Sequence, residues 1–254
     1  RTADTFHTMG KLQRYRGHFY NWYDTQSLTT LRPHYISTVD SGNLSGYLLT
    51  LRRGLIDLPN QKICVSQLLG GIDDTIAILA DVAGAKAPKQ LADFQKYLSS
   101  LPEHGKKVLK PLWRRLDDLA KASIDLAHAF DTNNDSDTAW WVKTLVHQCA
   151  DTLEEITFFC PWITLTHPSS RLSELLESME IPTLRELITS KKKLINLIEN
   201  MISINATAEE IAWFADFRRM IKEGSVRATE RIAAIDRLAA QANDFADMDY
   251  SFLY

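Results

Sequence analysis

Residues Thr207–Phe245 have the sequence TAEEIAWFADFRRMIKEGSVRATERIAAIDRLAAQANDF. The stretch opens with Thr207-Ala-Glu-Glu210, a capping box in which a Thr and a Glu three residues apart bond each other's backbone N–H groups. Apolar residues then recur at helical spacing: Ile211, Phe214, Phe217, Ile221, Ala228, Ile232, Ile235, Ala239 and Ala242. The pattern predicts helix to about Phe245, with a kink or interruption at Gly224.

The same periodicity covers the preceding half of the chain. A second capping box, Thr183 to Glu186, predicts one helix that carries Leu187, Leu194, Ile198 and Met201. Two further apolar stripes flank a polar loop, DTNNDSD, at residues 131–137. The first stripe comprises Leu109, Leu112, Leu116, Leu119, Ala127 and Phe130, and the second comprises Trp141, Leu145, Cys149, Thr152, Ile156 and Phe159 and ends at Pro161.

The N-terminal third adds three predicted helices. One begins near Asp40, in a cluster of capping residues, and carries Leu44, Leu48, Leu51, Leu55 and Leu58. A second covers residues 61–81, and a weaker one covers 89–100 after the breakers Gly84 and Pro88. No segment alternates as a strand should. The chain is therefore predicted to be all-α, an array of helical hairpins.

Composition excludes several functions. The 29 Lys and Arg nearly balance the 32 Asp and Glu, so no net field attracts nucleic acid. No apolar run is long enough to span a bilayer, and the sequence lacks phosphate-loop, dinucleotide, zinc-hydrolase and serine-hydrolase motifs. Cys64, Cys149 and Cys160 cannot all pair and lack metal-site spacing, which indicates reduced thiols and a cytosolic location. We expect no metal or cofactor.

The stretch Arg16–Thr25, RGHFYNWYDT, concentrates aromatic rings and polar groups. Sugar-binding sites pair flat aromatic surfaces with amides and carboxylates, because a sugar has an apolar face and a rim of hydroxyls. The predicted sugar contacts are the rings of Tyr20, Trp22 and Tyr23 and the polar groups of Asn21, Asp24, Asp40 and Asn43. Each residue also has a purely structural alternative. The rings would only pack a loop against helices, and His18 would be a packed core residue. Asp40 would only cap a helix, and Asp24 would only form an Asx turn.

The segment Lys11–Leu55 resembles the middle region of cyclic β-1,2-glucan synthases. It contains that family's pattern G-H-F-x-N-W-Y-D-T followed by Y-x-S-T-V-D-S-G-N-L, and DMDYSFLY at residues 247–254 is a second match. The resemblance implies a glucoamylase-like module that closes linear β-1,2-glucan into rings by transglycosylation. It also implies an (α/α)6 toroid, of which residues 1–254 would be an incomplete all-α fragment.

The resemblance further implies a layout and a set of partners. Residues 1–60 would form a segment of the sugar groove, 61–245 a helical region, and 246–254 the lead into the missing half. Trp22, Tyr23, Asp24, Asp40 and Asn43 would bind substrate, whereas the catalytic acids would follow Tyr254, so the fragment alone would be inactive. Its partners would be β-1,2-glucan, the other synthase domains and a second copy bound through an exposed apolar face, in the cytoplasmic part of an inner-membrane protein.

A rival hypothesis assigns no sugar binding to the chain. In it, the long helices between residues 103 and 245 form a scaffold that docks other domains of the synthase and exposes an apolar patch.

Overall fold

The computed structural model describes residues 1–63, 66–100, 108–130, 136–166, 169–201 and 206–251. Within these ranges the chain forms ten α-helices and one two-stranded antiparallel hairpin, which confirms the predicted all-α class. The hairpin, β1 (Arg14–Tyr15) and β2 (His18–Phe19), shows that the prediction of no strands was wrong. The chain divides into two compact units, with unit 1 comprising Arg1–Asn60 and Glu230–Tyr254 and unit 2 comprising Gln61–Thr229.

Unit 1 contains α1 (Thr2–Met9), the hairpin, α2 (Thr38–Asp57), a 3-10 turn at Leu58–Asn60 and the end of α10 (Ala208–Ala246). Its core consists of Phe6, Leu48, Ala242, Phe245 and Ala246. The helix predicted near Asp40 is present and begins two residues earlier. Of its predicted apolar stripe Leu48 is buried, whereas Leu51 and Leu58 are exposed.

Unit 2 contains the remaining helices and the first part of α10. They are α3 (Ser66–Ala83), α4 (Lys89–Ser99), α5 (Leu109–His128), α6 (Asp137–Phe159), α7 (Ser170–Ser178), α8 (Leu184–Thr189) and α9 (Lys191–Met201). Helices α3 to α6 pack as neighbours and bury the predicted stripes, including Leu116, Leu119, Leu145 and Ile156. Helix α6 ends before Pro161, as predicted, and a 3-10 turn at Pro161–Thr164 follows it.

Both capping boxes are confirmed. Thr183 and Glu186 exchange bonds of 3.0 and 2.7 Å, and Thr207 and Glu210 exchange bonds of 3.2 and 3.1 Å. The predicted helix after Thr183, however, divides at Ser190 into α8 and α9, and α1 and α7 were not predicted. Helix α10 runs through Gly224 without interruption.

Some predictions fall on residues that the structure does not describe. Cys64, most of the polar loop (131–135) and residues 103–107 lie outside the described ranges, and Met201 lies in α9 without a described side chain. In the part of the chain that is described, no helix is both long and apolar enough to cross a membrane.

Candidate functional site

The β1–β2 hairpin turns at Arg16 and Gly17. Both residues have positive φ values, 50° and 85°, which a two-residue turn of type I′ requires and which Gly adopts without strain. A side chain at Gly17 would also collide with the backbone carbonyl of Asp247. The Arg16 carbonyl accepts a 3.0 Å bond from the Asp249 backbone N–H. The hairpin therefore packs on the segment that follows α10.

His18, the first residue of β2, is fully buried. Its Nε2 lies 2.7 Å from the backbone carbonyl oxygen of Asp249, which can only accept, so Nε2 carries the proton. In the neutral ring Nδ1 is then an acceptor, and the Ser41 hydroxyl, 2.9 Å away, can donate to it. His18 thus joins the hairpin to α2 and to the segment after α10, and its position agrees with the packed core residue among the alternatives.

The loop after the hairpin is held by its own side chains. The Tyr23 hydroxyl accepts from the Tyr20 backbone N–H at 2.8 Å and donates to the Gln13 carbonyl at 2.7 Å, and burial raises the pKa of Tyr23. Asp24 Oδ1 accepts from the Ser27 and Gln26 backbone N–H groups and from the Ser27 hydroxyl. These hydrogen bonds, above all the two from Ser27, lower the pKa of the Asp24 carboxyl. Asp24 therefore forms the Asx turn that was its alternative role.

Asn21 connects this loop to the start of α2 through three hydrogen bonds. Its Nδ2 donates to Asp40 Oδ2 at 2.9 Å, its Oδ1 accepts from the Ser37 backbone N–H at 2.9 Å, and its own N–H donates to the Tyr35 carbonyl at 3.0 Å. Ser37, not Asp40, caps the helix, because its hydroxyl accepts from the Asp40 N–H at 3.1 Å. The Asp40 carboxylate is therefore held at the surface by an amide.

Trp22 and Tyr35 form an exposed aromatic pair next to Asn21. Their ring centroids are 5.8 Å apart with planes inclined by 27°, and the two residues are 48% and 53% exposed. Tyr35 was not among the predicted contacts. It precedes α2, and the sequence offered two signals for it: its aromatic character and its place as the Tyr of the Y-x-S-T-V-D-S-G-N-L pattern.

Helix α2 adds a further ring. Asn43 is exposed, and Tyr47 is 75% exposed and lies seven residues after Asp40, which places it on the same helix face two turns later. Tyr47 was not among the predicted contacts, because the leucines around it indicated only a helix. We define the candidate surface by the residues Trp22, Tyr35, Asp40, Asn43 and Tyr47.

The candidate surface combines flat apolar rings with an oriented carboxylate and an amide. This combination suits the apolar face and hydroxyl rim of a sugar. Other chemistry has less support among the described residues, where no group of three or more His, Cys, Asp or Glu is placed to hold a metal. Burial raises the pKa of Cys149 to about 12 and that of Cys160 well above its usual value, so neither thiol is an activated nucleophile.

Comparison with known proteins identifies a distant relative of this chain. No family model matches the chain. The chain is 29% identical over 171 residues to the cyclic beta-(1,2)-glucan synthase NdvB of Rhizobium meliloti (strain 1021). The match covers 59% of this chain but 6% of that much longer protein. The chain is therefore distantly related to a small part of a cyclic β-1,2-glucan synthase.

Proposed function

We propose that this chain is a fragment of a cyclic β-1,2-glucan synthase and that unit 1 binds linear β-1,2-glucan during the cyclising transglycosylation. The observation that carries the proposal is the position of Asn21. Its bonds to Asp40 and to the Tyr35 carbonyl hold the loop of the exposed Trp22–Tyr35 pair beside the carboxylate that begins α2. The distant relationship to a glucan synthase is our reason for choosing β-1,2-glucan as the proposed sugar.

The proposed contacts have separate tasks. Trp22 and Tyr35 stack on glucose rings, while Asp40 and Asn43 accept from or donate to sugar hydroxyls. Tyr23 and Asp24 stay predicted contacts, but the Tyr23 hydroxyl and Asp24 Oδ1 already bond within the loop. We therefore assign these two residues mainly to shaping the loop.

In this proposal the catalytic residues of the synthase are not among residues 1–254. A retaining transfer needs a carboxylic acid and a carboxylate nucleophile about 5 Å apart on opposite faces of the sugar. The proposal places both after Tyr254, in the other half of an (α/α)6 toroid on the cytoplasmic side of the inner membrane. The fragment then binds glucan without converting it.

The test is calorimetric titration of the chain with linear β-1,2-glucan. Replacing a stacking ring in a filled site costs about 2 kcal/mol, so Trp22→Ala should weaken binding roughly 30-fold. The matched control is Trp140→Ala in α6, since Trp140 is also exposed, at 58%, but lies in unit 2. The control should bind within about twofold of the unchanged chain.

A scaffold formed by the long helices between residues 103 and 245 remains the second candidate, favoured by the large apolar side chains that these helices expose, such as Ile124, Ile211 and Val226. A docking face of this kind needs no sugar affinity. Absence of heat at millimolar glucan, or equal losses from the two tryptophan substitutions, would reject the glucan surface and support the scaffold.

A further inference from the structure

Unit 2 contains a cavity of about 280 Å³ that the proposed glucan surface does not use. It lies among the 3-10 turn after α6, the segment before α8, helices α8 and α9, and α10. Its wall is mainly apolar and includes Trp162, Ile181, Leu187, Leu194, Leu197 and Ile221. The volume is just below the usual range for small-molecule sites, and the lining suits an acyl or aromatic group better than a sugar.

One wall residue has an unused polar group. Trp162 is 3% exposed, and its indole Nε1 is buried without a hydrogen-bond acceptor within the described ranges. An unsatisfied buried donor costs about 1–3 kcal/mol, so such groups are uncommon in folded proteins. Nε1 is itself closed off from the cavity, so Trp162 contributes its ring to the apolar wall and no accessible donor to a ligand.

The rim of the cavity carries an excess of positive charge. Lys62 lies 3.1 Å from Glu186 and 4.0 Å from Glu180, so these three groups leave one net negative charge, which the two charges of Lys191 and Lys193 outweigh. Lys191 and Lys193 also line the cavity, and neither has a carboxylate within ion-pair distance in the described part of the chain. Both lie in the first turn of α9, where the helix dipole also favours an anion.

We propose that this cavity binds a small amphipathic anion, with an acyl or aromatic body and one carboxylate or phosphate group. The apolar body fills the space between α9 and α10, and Lys191 and Lys193 hold the anionic group. The site lies in unit 2, and the inference does not depend on the glucan proposal.

The test is calorimetric titration of the full chain with octanoate, using octanol as the neutral probe. Octanoate should bind with a dissociation constant on the order of 1 mM or tighter, and octanol at least several-fold more weakly. The double variant Lys191→Ala/Lys193→Ala should lose about tenfold in affinity for octanoate.

Lys192→Ala is the matched control, because Lys192 lies between the two lysines and is exposed but does not line the cavity. It should bind octanoate within about twofold of the unchanged chain.

Three results would overturn the proposal: no octanoate binding, octanol binding as tight as octanoate, or an equal loss in Lys192→Ala and the double variant. Sedimentation with phosphatidylglycerol vesicles separates a free ligand from a lipid surface. Vesicle binding without octanoate binding would identify the lysines as a membrane-surface patch and reject the cavity.

Discussion

At the scale of single residues, burial decides what the cysteines can do. Cys149 and Cys160 are buried in unit 2, and loss of hydration penalises their thiolates. This raises the pKa of Cys149 to about 12 and the pKa of Cys160 well above its usual value. A raised thiol pKa lowers the thiolate fraction at neutral pH, and the thiolate is the reactive form.

We therefore expect both thiols to resist alkylation while the chain is folded. In a Cys64→Ser variant at about pH 8, iodoacetamide should modify Cys149 roughly a thousandfold more slowly than in urea, because unfolding restores an ordinary thiol pKa, and Cys160 should likewise react more slowly in the folded chain. Mass spectrometry of the time course measures both rates. Similar rates with and without urea would show that unit 2 opens readily around α6.

The polar residues of the N-terminal loop show what sequence predicts about a site and what it does not. The residue types around Trp22 indicated sugar chemistry, and Asp24 had an Asx turn as its alternative role. Which oxygens are already bonded depends on neighbours such as Ser27 and on Asn21 reaching Asp40, nineteen residues away. The sequence shows which residue types are present, but which groups they bond becomes known only from the folded loop.

At the scale of elements, local sequence signals predicted three helix starts and one helix end. The two capping boxes, the Ser37–Asp40 cluster and Pro161 act within one turn, and each has its expected effect. The hairpin was missed because its support is remote: Gly17 packs on Asp247 and His18 bonds to Asp249, more than 200 residues later. The division at Ser190 also lacks a local signal, since no Gly or Pro lies there.

Gly224 illustrates a helix position where packing reverses the usual propensity. A Gly inside a helix normally costs about 1 kcal/mol relative to Ala, which underlay the prediction of a kink. Here a side chain at Gly224 would collide with the backbone carbonyl of Phe159 at the end of α6. Gly224 is therefore needed for the close approach of α10 to α6, and the helix remains continuous.

We expect Gly224→Ala to lower the free energy of unfolding by about 1–3 kcal/mol through overpacking. The matched control is Gly46→Ala in α2, where a side chain meets nothing within 4 Å. That substitution should raise the free energy of unfolding by about 0.5–1 kcal/mol. Urea denaturation followed by circular dichroism measures both, and equal stabilisation by the two substitutions would contradict the close approach.

At the scale of the whole molecule, α10 supplies residues to both units, and unit 1 is therefore built from two separate stretches of sequence. Unit 1 is completed by a segment that begins at Glu230, and its core joins Phe6 to Phe245 with ring centroids 5.4 Å apart. The all-α class follows from periodicity alone. Periodicity does not predict that unit 1 is built from both ends of the chain, because that assembly depends on contacts between residues far apart in sequence.

The predicted self-association through an apolar face is also a property of the whole molecule. Tyr47, Leu51 and Leu58 recur at spacings of four and seven residues, so they share one face of α2 and its following turn, and all three are exposed. Burying such a face against a second copy removes apolar surface from water in both chains. We expect the average mass in sedimentation velocity to rise toward that of a dimer with concentration.

The double substitution Leu51→Lys/Leu58→Lys should keep the chain monomeric, because two buried ammonium groups per copy would have to lose their hydration. Ile211→Lys is the matched control, since Ile211 is an exposed apolar residue of α10 in unit 2 and should leave association unchanged. A mass that stays monomeric at all concentrations, or equal effects of the two variants, would contradict association through α2. Because Asp40 and Tyr47 lie on this same face, linear β-1,2-glucan should compete with the second copy and lower the average mass in the unchanged chain.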